Sequence, residues 1–401
     1  MKQGWEIKKL GELCTIKGRI GYRGYTKQDL VSKGEGAITL SPSNIVNCKL
    51  QFNNSTYISW FKYNESPEIK INIGDIIYCK TASIGKLALV EYLPEMATIN
   101  PQFVVFKELK CFNKFLYYGL LTEDFKLQAS EIISGTAIPT LSQTNLAQLV
   151  IPTPPLSEQQ RIVSILDQAF AAIDKAKANA EQNLKNTKEL FESYLQGVFE
   201  KKGDGWEEKT LKSIGITQTG TTPKTTNKNN YGDFIPFIKP ADIDIFGNGE
   251  IRYDNEGLSE EGLSNGRKIL QGSILMVCIG ASIGKVGFTD RDVSSNQQIN
   301  ALTVNTGLHP KFFYYALRTK GFYNQVIINS SQATLPLLIK SKWEILKVNF
   351  PISYSEQKSI VQKLDALSIE TKRLEAIYQQ KINNLEDLKN SILDKAFKGE
   401  L

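Results

Sequence analysis

Apolar and polar residues alternate with a helical period in two long stretches of the chain. Between residues 162 and 191, and again between 360 and 392, apolar or small side chains return at alternating steps of three and four residues. This spacing places them along one seam of a helix, as in a coiled coil. A single helix lying on a globular core would show the same seam, but two seams of similar length in one chain favour packing of one helix on the other.

We therefore predict two long helices, over residues 155–202 and 353–401, that pack on each other in antiparallel orientation. Prolines at 152, 154 and 155 stop the preceding structure, and Ser157 can cap the first helix. Helices of this length would extend for roughly 63 Å. The residues expected at the seam are Ile162, Leu166, Ile173, Leu184 and Phe191 in the first helix, and Ile360, Leu364, Leu374, Leu385 and Ile392 in the second.

The remaining segments, 1–154 and 203–352, have a mixed pattern. Short apolar runs such as 103–106 and 273–278 lie between glycine, asparagine and serine turns and predict strands, and each segment also contains one aromatic helix. We therefore expect the α+β class: two globular α+β domains separated by the two long helices, related by an internal pseudo-two-fold repeat.

The chain contains the same unit twice. Six short motifs recur in the same order, each about 200 residues after its first copy. The matched pairs are Gly4-Trp5-Glu6 with Gly205-Trp206-Glu207, residues 82–86 with 281–285 (both Ala-Ser-Ile-Gly-Lys), residues 114–118 with 311–315, Pro139 with Pro336, residues 157–159 with 355–357 (both Ser-Glu-Gln), and Leu166-Asp167 with Leu364-Asp365. A repeat of this length is a duplicated domain with its helix, because solenoid units are much shorter.

Charge distinguishes the domains from the helices. The chain has 48 Lys+Arg against 42 Asp+Glu, a formal net charge of +6. Acids and bases are equal in number within 155–202 and within 353–401, so the excess of positive charge lies in the two domains. A weakly basic pair of domains permits a polyanionic partner such as DNA without requiring one.

Composition excludes several kinds of chemistry. The single histidine, His309, precedes Pro310, so sites with two imidazoles are impossible and a catalytic triad would depend on this residue alone. The five cysteines form no Cys-x-x-Cys pair, which argues against zinc and disulfides and favours the cytoplasm. Residues 1–10 do not resemble a signal peptide, and no apolar run is long enough to span a membrane. We expect no catalytic residue and no metal site.

The repeated Ala-Ser-Ile-Gly-Lys motif resembles a phosphate-binding loop only in part. A Walker loop has four residues between its glycines and a Ser or Thr after the Lys, whereas here three residues separate Gly280 from Gly284 and Val286 follows the Lys. Both copies could still bring backbone N–H groups and a lysine to a DNA phosphate, or they could be tight turns between strands. The candidate DNA contacts from this motif are Lys80, Thr81, Ser83 and Lys86 in the first copy and Ser282 and Lys285 in the second.

Two further groups of polar residues are candidates for DNA contact. Asparagine and glutamine can read adenine edges or bind phosphates, although they could equally cap the start of a strand. Basic and aromatic residues in a glycine-rich loop suit a groove or a phosphate, although they could also be a solvated surface. The candidates are Asn100 and Gln102, with Asn296, Gln297 and Gln298 in the second copy; and Lys17, Arg19, Tyr22 and Arg23, with Thr221, Thr222 and Lys224 in the second copy.

The order of these motifs resembles the specificity subunit of type I restriction–modification systems. The likeness is carried by Gly-Trp-Glu and Ala-Ser-Ile-Gly-Lys in both halves, by Ile151-Pro152 through Ile162, by Pro351 with Ser355-Glu356-Gln357, and by Thr222-Pro223-Lys224, which is similar to the opening of a target recognition domain. It covers essentially the whole chain. The second helix has Lys358 where Gln160 stands in the first, so its capping box is incomplete.

The resemblance implies a function. Each domain would be a target recognition domain that reads one half of a split site in double-stranded DNA. The helices would be a spacer and a docking site for two methyltransferase subunits, with S-adenosylmethionine bound there and no cofactor on this chain, and restriction subunits could join the complex. The alternative is a coiled-coil scaffold with two protein-binding domains and no role in DNA recognition.

Overall fold

A computed structural model describes residues 3–19, 21–133, 139–201, 203–243, 249–331 and 335–401, and the side chain of Tyr22 lies outside this description. The chain forms two units: Met1–Glu181 with Gln380–Leu401, and Gln182–Gln379. We call them the first unit and the second unit. Each contains one of the two predicted domains and a part of both long helices. The expected α+β class is confirmed.

The first domain combines short strands with short helices. Its strands are β1 (Glu6–Lys9), β2 (Thr15–Gly18), β3 (Leu30–Val31), β4 (Gly36–Leu40), β5 (Ile45–Val46), β6 (Lys49–Leu50), β7 (Thr56–Ser59), β8 (Ile76–Cys79), β9 (Leu87–Leu89), β10 (Ala97–Ile99), β11 (Phe103–Lys107) and β12 (Val150–Thr153). Its helices are α1 (Leu10–Leu13), α2 (Trp60–Asn64), α3 (Asn113–Gly119), α4 (Glu123–Glu131) and α5 (Gln143–Gln148), followed by the long helix α6 (Leu156–Glu200).

The second domain repeats this order with fewer strands among the described residues. Its strands are β13 (Trp206–Thr210), β14 (Gly215–Thr219), β15 (Tyr231–Ile238), β16 (Gly257–Leu258), β17 (Ile274–Val277), β18 (Val286–Phe288), β19 (Ser294–Ser295), β20 (Ile299–Val304) and β21 (Lys347–Pro351). Its helices are α7 (Leu211–Ile214), α8 (Glu260–Ser264), α9 (Pro310–Leu317), α10 (Lys320–Asn329) and α11 (Lys340–Trp343), followed by the long helix α12 (Tyr354–Lys398).

The two main sheets of each domain share a common strand order. A four-stranded antiparallel sheet has the order β2-β11-β8-β9 in the first domain and β14-β20-β17-β18 in the second. A second sheet contains β10-β4-β7 in the first domain, and its counterpart is β19-β15-β16. In both, one parallel pair adjoins one antiparallel pair. The duplication read from short motifs therefore extends to the topology.

The four-stranded sheet is buried on both faces. In β8, Ile76 and Tyr78 belong to the core shared with the long helices, whereas Ile77 and Cys79 belong to the core beneath the second sheet. The side chains of a strand point alternately to its two faces, so an unbroken apolar run such as Ile76–Cys79 is what a sheet between two cores requires. In the second domain, β17 divides its side chains between two cores in the same way.

The seam residues of the long helices pack largely on the domains. Ile162, Leu166 and Ile173 of α6 lie in the first unit's core, with Leu385 and Ile392 of α12 packed against it. Phe191 and Leu364 lie in the second unit's core, with Ile360 packed against it. Leu184 and Leu374 are half-buried. The seam therefore serves helix-on-domain packing as well as helix pairing, so the two interpretations of the heptad pattern both hold in part.

Within the first unit the two long helices run antiparallel. Lys389 of α12 donates to Asp174 of α6 at 2.8 Å, and Lys177, further along α6, pairs with Glu386, which is earlier in α12. The C-terminal end of α12 also enters the core of the first domain, where Phe397 stacks on Phe115 with ring centroids 4.7 Å apart. The end of the chain is therefore part of its first domain.

A buried glutamine fastens the start of each long helix to its domain. Gln159 accepts from the Phe112 N–H at 2.9 Å and donates to the Pro154 carbonyl at 2.8 Å. Gln357 makes the equivalent pair of bonds, with the His309 N–H at 2.9 Å and the Pro351 carbonyl at 2.8 Å. The Gln of the repeated Ser-Glu-Gln motif therefore satisfies backbone groups that burial would otherwise leave unpaired.

An aspartate two turns further along each helix adds a second attachment. Asp167 accepts from Tyr118 Oη at 2.5 Å and from Lys114 Nζ at 2.9 Å. Asp365 accepts from Tyr315 Oη at 2.6 Å and from Lys311 Nζ at 2.8 Å. The pKa values of both tyrosines are raised by burial and by this neighbouring carboxylate. The repeated Lys-Phe-x-Tyr-Tyr and Leu-Asp motifs are thus two sides of one contact.

We expect Asp167→Ala to lower the free energy of unfolding by about 2 kcal/mol, because it leaves a largely buried tyrosine hydroxyl without its acceptor and breaks an ion pair. Chemical denaturation of the full chain measures the change. The control is Glu386→Ala, which removes an exposed ion pair between the same helices and should cost below about 1 kcal/mol. Equal losses of unfolding free energy in the two variants would show that Asp167 contributes no more to stability than an exposed ion pair.

Candidate nucleic-acid interface

The repeated Ala-Ser-Ile-Gly-Lys segment forms a tight hairpin in both units. It connects β8 to β9 and β17 to β18, which pair antiparallel. Its N–H groups donate to carbonyls of the protein: Gly85 to Cys79 at 3.1 Å, and Gly284 to Val277 at 2.9 Å. Both glycines have a φ of 91°, which explains why glycine stands there. The segment is therefore a strand-to-strand turn in both units, and its contact with DNA stays a prediction.

The other residues predicted from this motif surround the turn. Lys86 donates to the Pro42 carbonyl and Lys285 to the Ile243 carbonyl, both at 3.4 Å. Thr81 forms an isolated bridge with Thr140. The side chains of Lys86 and Ser83 are exposed, and those of Lys80, Thr81, Ser282 and Lys285 are half-buried. The turn thus leaves exposed polar groups mainly in the first unit.

The Asn-x-Gln segments are also turns that make their own hydrogen bonds. The Asn100 carbonyl oxygen Oδ1 accepts from the Gln102 N–H at 3.0 Å, and its Nδ2 donates to Gln102 Oε1 at 3.0 Å. Asn296 and Gln298 repeat both bonds, at 3.1 and 2.9 Å. Both asparagines are buried. The interpretation as caps of the following strands, β11 and β20, accounts for these amides, and Gln297 is the exposed member of the group.

Arg19 is a structural residue, which differs from its expected role in DNA contact. Its side chain is 7% exposed and donates to the carbonyl oxygens of Ile99 and Arg23, both at 3.3 Å. Burial lowers the pKa of this guanidinium. Arg23 is half-buried and forms an ion pair with Glu68 at 3.3 Å. Both arginines of this loop therefore bind groups of their own domain.

Among the candidates from the glycine-rich loop and its second copy, the basic residues with exposed side chains are Lys17 and Lys224. In the second unit, the Thr221 N–H donates to the Ser295 carbonyl at 2.8 Å, and Thr222 Oγ1 donates to Gln297 Oε1. A Cβ on Gly220 would lie 2.2 Å from the Asn296 carbonyl oxygen, so only glycine allows this approach. Tyr22 is a predicted contact whose side chain lies outside the described part of the chain.

Sequence reasoning missed a pair of short helices at equivalent places in the two domains. Helix α2 follows β7 and is capped by Ser59, and helix α8 follows β16 and is capped by Ser259. In α2 the side chains of Trp60 and Phe61 are 43% and 74% exposed. The sequence does contain two serines 200 residues apart, Ser59 and Ser259, that precede these helices. A single matched residue is not enough to be recognised as a repeated motif.

His309 occupies a structural position at the N-cap of α9. Its ring lies 5.6 Å from that of Tyr354, and its Nδ1 is buried without a hydrogen-bond partner. Desolvation lowers the pKa of this imidazole, which keeps the ring neutral. Burial likewise raises the pKa of the Cys278 thiol to about 12. Both environments suit structural side chains better than a nucleophile or its base.

The described residues contain neither a metal-binding cluster nor a membrane-spanning helix. In that part of the chain, no group of three or more His, Cys, Asp or Glu side chains is arranged to hold a metal ion. No described helix combines the length and the apolar character that crossing a membrane requires.

Both domains match one family model. The model of the type I restriction modification DNA specificity domain matches residues 2–185 and again residues 203–386. The EcoKI specificity subunit of Escherichia coli K12 is 22% identical, over 100% of this chain and 90% of its own length. The HindI specificity subunit of Haemophilus influenzae is 35% identical over 43% of this chain and 39% of its own length.

Two solved structures share the fold. A chain from a structure of a type I R-M system has a TM-score of 0.79 at 21% identity and covers 100% of this chain and 99% of its own. The HsdS subunit from Thermoanaerobacter tengcongensis has a TM-score of 0.59 at 20% identity and covers 100% of this chain and 98% of its own. At these identities the likeness establishes the architecture.

We expect the single imidazole to titrate below the ordinary histidine pKa of about 6.5. Since the folded pKa is lowered, the unfolded chain binds the proton first as pH falls, so His309 contributes stability above about pH 6.5 that is lost below it. The Cε1–H resonance of His309, unique in the chain, gives the pKa directly. A midpoint at or above 6.5 would contradict the burial argument, and His309→Gln should remove the resonance and its share of the pH dependence.

Proposed function

The chain belongs to the family of type I restriction–modification DNA specificity subunits, and from this premise we propose that it is the non-catalytic, sequence-reading subunit of such a complex. Each domain would bind one half of a two-part site in double-stranded DNA. The observation that carries this proposal is that two copies of the family's domain lie in one chain, on one scaffold, with different residues at their surfaces. A reader of two different half-sites needs this combination.

The positive charge of the domains supports DNA as the ligand. The long helices are electrically neutral, so the net charge of +6 belongs to the domains. Phosphate contacts by lysine supply affinity and steer association without reading sequence. Exposed Lys17, Lys86 and Lys224 are the residues to which we assign such contacts.

We further propose that two methyltransferase subunits dock on this chain and bring S-adenosylmethionine, and that restriction subunits can join them. The support is the duplication itself, since two equivalent units offer two equivalent docking sites for two identical partners. The complex would act on DNA in the cytoplasm, where cysteines such as Cys48 and Cys111, free in this structure, stay reduced.

The complex of this chain with its methyltransferase subunit should bind one class of duplex and release it steeply with salt. For six to ten phosphate contacts, affinity should fall by about 10³-fold or more between 50 and 200 mM salt. Fluorescence anisotropy with the preferred duplex and a shuffled duplex of the same composition measures both properties. Equal affinity for the two duplexes would contradict sequence recognition and favour the scaffold alternative.

The length of the long helices should set the spacing between half-sites. Inserting one heptad into both α6 and α12 keeps the seam in phase and adds roughly 10 Å of helix, or about three base pairs. We expect a longer spacer and unchanged half-sites when the methylated sites are sequenced. A control that replaces seven residues without inserting any should keep the original spacer. New half-sites with the original spacer would show that helix length does not set the spacing.

A further inference from the structure

Helices α2 and α8 are the same structural element in the two domains. The Lys62 N–H donates to the hydroxyl of Ser59 at 3.4 Å, and the Gly262 N–H donates to that of Ser259 at 3.0 Å. Both helices span five residues and begin where a short strand of the second sheet ends. The backbone at this place is therefore conserved between the two halves of the chain.

A small apolar core of its own supports each of the two helices. Beneath α2, Ile58 and Tyr63 pack with Ala37 of the neighbouring strand. Beneath α8, Leu258 packs with Ile235 and Phe237, and Leu263 lies against them. The side chains that face inwards are thus apolar in both units, and they hold the two helices in equivalent positions on their sheets.

The outward residues differ completely. The first two residues of α2 are Trp60 and Phe61, whereas those of α8 are Glu260 and Glu261. Phe61 is 74% exposed, so folding removes little of its ring from water and the ring contributes little to the free energy of unfolding. The second unit shows that the scaffold itself tolerates acids at these two places. Phe61 therefore requires an explanation other than stability, whereas Trp60 also packs edge-to-face on Tyr63 with ring centroids 5.8 Å apart.

The internal repeat separates two kinds of surface, given the proposed function on which this reasoning rests. Surfaces that dock two copies of one methyltransferase should carry the same residues in both units. Surfaces that read two different half-sites should sit on the same scaffold and carry different residues. The α2 and α8 helices meet the second description.

We propose that Trp60 and Phe61 are specificity-determining residues that contact the bases of the half-site read by the first unit. Duplex DNA offers apolar surface at thymine methyl groups and at the faces of partly unstacked bases, and aromatic side chains use both. The neighbourhood carries charges of both signs: Lys70 Nζ lies 4.3 Å from the centroid of the Tyr63 ring, and Lys62 forms an ion pair with Glu65 at 3.0 Å. Glu260 and Glu261 would present carboxylates, instead of aromatic rings, to the half-site read by the second unit.

The test uses the complex of the full chain with its methyltransferase subunit and two DNA libraries, each randomised in one half-site. Phe61→Ala should weaken binding to the preferred duplex at least about fivefold and relax base preference in one half-site only. Phe61→Glu, which copies the second unit, should weaken it at least as much. Phe61→Leu should retain part of the preference, because it keeps apolar surface.

Leu127→Ala is the matched control, since Leu127 is a 62% exposed apolar residue of the same unit on a different element, α4. It should leave both half-sites unchanged, and thermal unfolding should show that each variant is folded. Unchanged preference in the Phe61→Ala complex would overturn the proposal. So would loss of the methyltransferase with an unchanged preference, which would mark α2 as a protein-docking element. A wild-type complex without any base preference would instead refute the proposed function itself.

Discussion

The attachment of each long helix to its own domain is the contact on which the rest of the structure depends. A buried glutamine, Gln159 or Gln357, joins the first turns of the helix to the backbone at the start of an aromatic helix of the domain. An aspartate two turns later holds a tyrosine and a lysine of that same aromatic helix. Because both contacts are polar and directional, they fix the rotation of the helix as well as its position, which apolar packing alone leaves loosely defined.

The duplicated motifs therefore describe a scaffold, and recognition belongs to the residues that differ between the copies. Ser-Glu-Gln and Leu-Asp make the same attachments twice, and Ala-Ser-Ile-Gly-Lys forms a strand-to-strand turn in both copies. At equivalent positions, the short helix that follows the second sheet carries Trp60 and Phe61 in the first domain and two glutamates in the second. One backbone with two surfaces is an economical way for a single chain to hold two specificities.

Local patterns predicted the parts of the structure that depend on local physics. The heptad spacing placed the long helices within a few residues of their observed ends, since a period of about 3.5 residues requires a helix with one buried seam. The roles of the polar candidates depended on distant partners instead. Arg19 is buried because it reaches Ile99, which is 80 residues away in the sequence. Phe61 carried no signal of its exposure, because an aromatic residue after a strand usually packs inwards.

Mapping methylated adenines across the genome tests the central claim most directly. Cells would carry the methyltransferase and restriction subunits either with or without this chain. The account predicts methylation that depends on the chain and falls at sites built from two different short sequences with a constant, unspecified spacer. Methylation that persists without the chain, or that follows a single uninterrupted sequence, would contradict it.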